Sequence, residues 1–160
     1  MPARHSFTRL LGSGLLTALA VGALTVAAQP ATAMPGITTV DSSVYATPGG
    51  HGNFRWRYAA GPGHECRIIP VGRTVAVECD ATFPTSVRTA SSTVKPNAVR
   101  LLGRTVTATT STSHWAGAKQ MAPYRQISVE GVTCTVLEHA TVDCRTGGGD
   151  FTVVGGMVRR

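Results

Sequence analysis

The chain has 160 residues, 15 Lys or Arg against 8 Asp or Glu for a formal net charge of +7, and four cysteines. That length suits one domain with a modest core. The basic residues are dispersed: apart from the terminal Arg159-Arg160 there is no Lys/Arg block, which argues against a nucleic-acid partner.

Residues 1–9 carry Arg4 and Arg9 and no acid, Leu10 to Ala28 is apolar, Gln29-Pro30 breaks the run, and Ala31-Thr32-Ala33 supplies small residues at alternate positions. Basic, apolar and small segments in that order predict a secretory signal peptide, cleaved after Ala33. The apolar run is short and interrupted by Gly and Thr, so no stable membrane span is expected after cleavage. No twin-arginine pair precedes it, and no Cys near the cleavage point could accept a lipid. The expected product is secreted or extracytoplasmic. Residues 34–160 keep 13 basic side chains against 8 acidic, a net of +5. An exported protein of this charge meets anionic cell-wall polymers or lipid headgroups first, and weak association with such polymers is the expectation.

Residues 34–50, rich in Pro, Gly, Ser and Thr, read as a loose entry segment with one short strand around Ile37–Tyr45. Beyond it, helical periodicity is absent and Thr, Val and Gly dominate. Short β-branched runs between Gly or Pro predict strands at Asn53–Tyr58, Glu65–Val71, Thr74–Asp80, Val99–Leu102, Arg104–Thr110, Val132–Leu137, Thr141–Arg145 and Asp150–Val154. Residues 85–97 and 109–125 are Ser/Thr-rich and read as loop. The expected fold is all-β: a small sandwich or partly open barrel built from two disulfide-braced β-hairpin halves, about 51–84 and 126–154, in a single domain spanning 51–160.

Four cysteines allow three connectivities. Strand register favours the local one. If Cys66 faces Cys79, the loop is Gly72-Arg73, a two-residue connection suited to a type II′ turn. Counting back from that turn makes 66/79 a close, non-hydrogen-bonded pair, as a cross-strand disulfide requires. Pro70 then falls where no partner needs its missing N–H, and Arg67 faces Glu78. Cys66, Ile68, Pro70, Val75, Val77 and Cys79 form one apolar face. Pairing Cys134 with Cys144 centres a three-residue loop, Glu138-His139-Ala140, and sets Val136 opposite Val142 and Thr135 opposite Asp143. The third loop residue there needs a positive φ, which Ala140 tolerates poorly. Each closure contributes about 3 kcal/mol at most. A Phe follows each pair, at 83 and 151, so the two halves look like copies.

Thr47-Pro48-Gly49-Gly50-His51-Gly52-Asn53, Cys66 and Val77-Glu78-Cys79-Asp80 form one pattern, and Ile127 to Cys134, Val142-Asp143-Cys144 and Gly147-Gly148-Gly149-Asp150-Phe151 form another. Together they resemble small exported two-disulfide actinobacterial proteins of unassigned function, in which a Gly-Asn strand precedes a Cys and a Val-x-Cys-Asp, and a Gly-rich turn and a Phe follow the last Cys. The likeness spans about two-thirds of residues 34–160. It departs in the first half, where Cys66 lies 13 residues past Asn53 and the inserted stretch contains Phe54–Tyr58. The resemblance implies architecture and location; it carries over no catalytic or binding residue.

Phe54-Arg55-Trp56-Arg57-Tyr58 alternates strictly, so a strand here puts three aromatics on one face and two arginines on the other. Arg55, Trp56 and Arg57 are the candidate binding residues, as an aromatic platform for a glycan or cations for an acidic polymer; a half-buried strand with its aromatics in the core gives the same pattern. His51, His64-Glu65 and His114 could join Glu78 or Asp80 as metal ligands or acid–base groups, but no metal-ligand spacing is present and surface histidines account for them. His139 falls at a hairpin tip. Ser92-Thr93-Val94-Lys95 matches the Ser-x-x-Lys of acyl-serine enzymes without its companion motifs, and Pro96 follows at once. There is no Gly-x-Ser-x-Gly and no phosphate-binding Gly-rich loop. No catalytic residue, metal or cofactor is therefore expected. The leading expectation is a non-enzymatic exported or envelope-associated protein that binds through an exposed β surface. The alternatives are a secreted protease inhibitor, whose usual wider cysteine spacing and Cys-Pro loop are missing here, and a small hydrolase built on converging histidines.

Overall fold

The computed structural model describes residues 36–50, 52–83, 87–88, 93–111 and 117–159. They lie in one compact unit, Met34–Arg160. In chain order the strands are β1 (Thr38–Thr39), β2 (Phe54–Arg57), β3 (Glu65–Val71), β4 (Thr74–Asp80), β5 (Val87–Arg88), β6 (Thr93–Val94), β7 (Ala98–Leu102), β8 (Thr105–Thr109), β9 (Lys119–Gln120), β10 (Arg125–Val129), β11 (Val132–Leu137), β12 (Thr141–Arg145), β13 (Asp150–Val154) and β14 (Met157–Arg159). A 3-10 turn, η1 (Ser42–Tyr45), follows β1 and starts at Asp41, whose carboxylate accepts from Ser43 N at 2.9 Å.

The expected all-β architecture is present as two six-stranded sheets and a separate β5–β6 pair, with no closed barrel. The first sheet runs β8-β7-β4-β3-β2-β9 and the second β1-β10-β11-β12-β13-β14. Each is a five-stranded antiparallel meander with one two-residue strand added parallel to its first member: β9 beside β2, and β1 beside β10. Repetition therefore extends beyond the hairpins to whole sheets. Its register is preserved, because Trp56, Cys66, Cys79 and Val99 form one cross-strand row and Ile127, Cys134, Cys144 and Phe151 form the matching row. Phe151 thus corresponds to Val99. Phe83 has no such place in a row; it lies beyond β4, partly buried against the core.

Both hairpin registers stand as the turn arithmetic requires. Cys66 pairs with Cys79 and Arg67 with Glu78 around Gly72, whose φ of 61° suits the first central position of a II′ turn. Cys134 pairs with Cys144, Val136 with Val142 and Thr135 with Asp143. Here His139 and Ala140 both adopt left-handed φ, 55° and 52°, so the strain expected at Ala140 is real and is accepted to keep the register. Both disulfides are formed, with Cα atoms 4.0 and 4.1 Å apart. The apolar face of the first hairpin is buried except for Pro70, which lies exposed near its end.

Four expectations change. Residues 36–50 are not loose: β1 and Val40 bond to the second sheet through Thr38 N to Tyr124 O and Val40 N to Gln126 O, and Ala46 bridges to Phe54 of the first. The segment around Ile37–Tyr45 is a two-residue strand followed by the 3-10 turn, since Asp41 caps a turn before extension can continue. Residues 85–97 and 109–125, read as loop, contain β5, β6 and β9, and β10 begins at Arg125. The chain ends in a further strand, β14, beyond Asp150–Val154.

Side chains from both sheets share one core, in which Trp56, Ile68, Val77, Leu101, Ile127, Val136, Val142, Phe151 and all four cysteines are fully buried. Each buried aliphatic or Phe side chain contributes roughly 1.5–3 kcal/mol relative to exposure. At its centre Cys79 Sγ and Cys144 Sγ meet at 4.0 Å, one from each sheet. Both sulfurs are oxidised and carry no hydrogen, so this is a dispersion contact between the two bridges. At one end, Thr146 Oγ1 donates to Gly103 O at 2.6 Å, and Arg104 lies so close over Gly148 that a Cβ there would sit 2.5 Å from its Cγ. The Gly-rich turn joins β12 to β13 as expected and also makes room for the first sheet's β7–β8 turn.

Because the two disulfides touch, their removals should not be independent. Replacing Cys66 and Cys79 by Ala is expected to lower stability by about 3 kcal/mol, and replacing Cys134 and Cys144 to do much the same. Urea unfolding of both variants and of their combination should give a coupling energy of at least about 0.5 kcal/mol; strict additivity would mean that the sulfur contact does not join the sheets.

Candidate functional site

The strand β2 alternates as its sequence demands. Trp56 and Tyr58 point into the core at 0% and 2% exposure, with Phe54 partly buried beside them. Trp56 is therefore removed from the list of surface binding residues: its ring fills the interior, and Nε1 meets no acceptor, so packing alone holds it. Arg55 and Arg57 take the opposite, outer face and remain half-buried. Arg55 Nε donates to Thr47 Oγ1 at 2.8 Å, and Arg57 Nε donates to Ala118 O at 3.0 Å.

Strand pairing extends that outer face into a charged row. Arg55 lies beside Arg67, Arg67 beside Glu78, Glu78 beside Arg100, and Arg100 beside Thr107. Glu78 is 1% exposed and accepts from Arg67 Nη2 at 2.9 Å on one oxygen and from Arg100 Nε and Nη2 at 3.0 and 2.8 Å on the other. The Arg67 partnership follows from hairpin register. Arg100 could not be found that way, because it arrives on β7 from outside the hairpin; the signal that remained was an isolated Arg within the apolar run Ala98–Leu102.

Between residues 46 and 120 the chain carries nine Lys or Arg against three acids, and all three, Glu65, Glu78 and Asp80, are buried. The remaining described residues of the domain are net acidic, with Asp41, Glu130, Glu138, Asp143 and Asp150 against Arg125, Arg145 and Arg159. Arg73, Lys95, Arg104 and Lys119 are exposed on the first sheet and its connections. The exposed charge is thus divided by net sign between the two sheets and their connections.

Two depressions flank Arg55. The larger, about 430 Å³, lies between η1 and the edge of the first sheet and is lined by Ser43, Tyr45, Thr47, Arg55 and Lys119 among others. The smaller, about 210 Å³, is lined by Thr47, Asn53, Arg55, Arg67 and Ile69. Burial raises the Tyr45 phenol above its ordinary value against the opposing pull of Arg125, so its hydroxyl stays neutral and able to donate.

Only some of the other candidates fall among the described residues. His51, Ser92 and His114 lie outside the described residues. His64 sets its ring edge-on to Tyr58, centroids 5.3 Å apart, and its buried Nδ1 meets no hydrogen-bond partner. Asp80 Oδ2 accepts from Glu65 N at 3.4 Å, and its backbone carbonyl accepts from Tyr58 Oη at 2.9 Å. Thr93-Val94 is strand, whereas Ser-x-x-Lys chemistry needs a helix to bring its Lys back one turn later; Lys95 is exposed. His139 is exposed at its hairpin tip as expected. Among the described residues no group of three or more His, Cys, Asp or Glu could hold a metal, and no helix is long and apolar enough to cross a membrane. Comparison of the chain with protein-family models, curated proteins and solved structures finds no match.

Glu78→Gln leaves two cations without a counter-charge and should cost roughly 3–5 kcal/mol, read as a lowered urea midpoint; a loss below about 1 kcal/mol would reduce the cluster to an ordinary surface pair. Tyr58 gives a pH signature. Burial first, and then the Asp80 charge, raise its phenol well above the ordinary value of about 10. Below pH 10 the folded and unfolded states both hold the proton; above it the unfolded state alone loses it, so stability falls as pH rises. The stability difference between the native protein and Tyr58→Phe should therefore shrink steadily above about pH 10. A difference constant from pH 8 to 12 would contradict the burial of this hydroxyl.

Proposed function

We propose that the protein is an exported, envelope-associated, non-enzymatic binding protein that holds an anionic cell-wall polymer on its first sheet. The carrying observation is the segregation of charge: the three acids of residues 46–120 are buried while Arg73, Lys95, Arg104 and Lys119 face solvent. Such a one-signed surface attracts a polyanion over distances of about a Debye length, roughly 8–10 Å at moderate salt. Two disulfides are compatible with an oxidising, extracytoplasmic setting. The signal-like order of residues 1–33 and the resemblance to small exported actinobacterial proteins support the same location. The inhibitor and hydrolase alternatives have no observation of comparable kind in their favour.

The test separates a located surface from bulk charge. Residues 34–160 are bound to purified cell wall over a salt series, and two double variants with the same change in net charge are compared: Arg73→Glu with Lys95→Glu, and Arg145→Glu with Arg159→Glu. The first should weaken retention by about tenfold or more at low salt, and the second by much less. Equal losses, or no retention even at low salt, would defeat the reading.

A further inference from the structure

The two depressions beside Arg55 share Thr47 and Arg55 as their common wall, so together they form one groove divided by a guanidinium. A cation stands at each station along it: Lys119 in the larger cleft, Arg55 on the divide, Arg67 in the smaller hollow. None of the lining residues of either depression is acidic. Two acids stand close by and both are engaged: Glu78, buried beneath the smaller hollow, accepts from Arg67 Nη2 at 2.9 Å, and Asp41 accepts from the backbone N–H of Ser43. Between the cations lie neutral hydrogen-bonding groups: the hydroxyls of Ser43, Tyr45 and Thr47 and the amide of Asn53.

The walls are held in place by bonds that do not involve a ligand. Thr47 N donates to Asn53 O at 2.8 Å, Gly50 N donates to Thr47 O at 3.0 Å, and Thr47 Oγ1 fixes Arg55 Nε at 2.8 Å. Gly50 leaves no spare room, since a Cβ there would stand 3.0 Å from both Thr47 Cβ and Asn53 Nδ2. On the far side Arg57 Nε anchors Ala118 O, and Met121 N donates to Arg57 O at 2.9 Å, which fixes β9 and with it Lys119. A groove built in advance loses little entropy on binding.

We propose that this groove is the seat of an anionic glycan, with one acidic sugar unit in the cleft beside Lys119 and the next in the hollow beside Arg67, bridged by Arg55. The inference deepens the polymer-binding reading and rests on it, naming the ligand class and the place. A sugar fits the mixture better than a bare polyphosphate does. Hydroxyls and a side-chain amide both donate and accept, and a ring carrying hydroxyls satisfies both, whereas a polyphosphate at neutral pH offers acceptors almost alone. The larger cleft falls within the range of about 300–1,000 Å³ usual for small-molecule sites.

The probe is tetragalacturonate, titrated into isotope-labelled residues 34–160 and followed by amide NMR shifts. Maltotetraose serves as the uncharged glycan and tripolyphosphate as the anion without a sugar. Saturable shifts at Ser43, Thr47, Asn53 and Lys119 are expected with tetragalacturonate, at least fivefold tighter than with either control. Lys119→Gln, at an exposed position, should weaken that binding severalfold. Ala46→Trp, which fills the larger cleft without altering charge, should weaken it by tenfold or more while retention on whole cell wall keeps its salt-sensitive part. Non-saturating shifts spread over Arg73, Lys95 and Arg104 would overturn the groove yet leave the charged surface standing, as would unchanged affinity in both variants. Equal binding of tripolyphosphate would overturn the glycan. Saturable groove binding together with failed cell-wall retention would uphold the groove and remove the polymer.

Discussion

Cys79 and Cys144 touch across the interior at 4.0 Å, and each belongs to a bridge that clamps the central hairpin of its own sheet. A domain of this size has few large apolar side chains with which to press two sheets together; among the described residues its core relies on Val and Ile with Trp56, Leu101, Met121 and Phe151. The bridges answer both needs. Each limits the freedom of the unfolded chain, and each contributes one polarisable sulfur to a contact between the sheets. Because Trp56 and Ile127 stand in the same rows as the cysteines, the bridged hairpins also position the first strand of each meander. In the first sheet that strand is β2, so the placement of Arg55 and Arg57 on the outer face follows from the burial of Trp56 on the inner one.

The same constraint explains which parts of the fold could be read from the residues. Glu65–Val71, Thr74–Asp80, Val132–Leu137, Thr141–Arg145 and Asp150–Val154 appear with the predicted ends. The first four form the two bridged hairpins, in which turn residues, apolar alternation and cysteine spacing all depend on one register. Where only one signal was present the reading failed. β10 follows a Ser/Thr-rich stretch and turns into β11 through Glu130-Gly131, both at positive φ, and a Glu in that position is not the Asn or Asp that marks such a turn. β1 and β9 are two residues long and exist only because a distant strand offers a free edge to pair with. Nothing within Thr38-Thr39 or Lys119-Gln120 announces that.

The candidate site was legible in part for the same reason. Period-two alternation correctly divides Phe54–Tyr58 into two faces, and Trp56 then belongs to the core rather than to a ligand. Thr47 and Ser43 carried no signal, since hydroxyls in a Pro/Gly-rich entry segment are unremarkable until that segment is stitched between the sheets. Lys119 was hidden in a stretch that reads as loop.

Net charge alone was the weakest guide to how this protein meets its surroundings. A value of +5 for residues 34–160 predicts only diffuse attraction. What sharpens it is where the acids go. Glu78 is drawn beneath Arg67 and Arg100; one oxygen accepts from Arg67 and the other accepts twice from Arg100, so both are satisfied inside the protein. Its negative charge is then screened from solvent by the two arginines that both pair with it, and two positive charges against one leave the cluster net positive. Glu65 and Asp80 are buried as well. Burying acids therefore does two things at once: it ties β3, β4 and β7 together, and it leaves the exposed charges of the first sheet and its connections, among the described residues, all positive. The second sheet has no equivalent, because its acids stay at or near the surface, where Asp143 and Arg145 pair on neighbouring positions of one strand. The two meanders thus share one pattern and differ in the sign of the net charge they expose, and on the proposed reading it is the first that meets a polyanion.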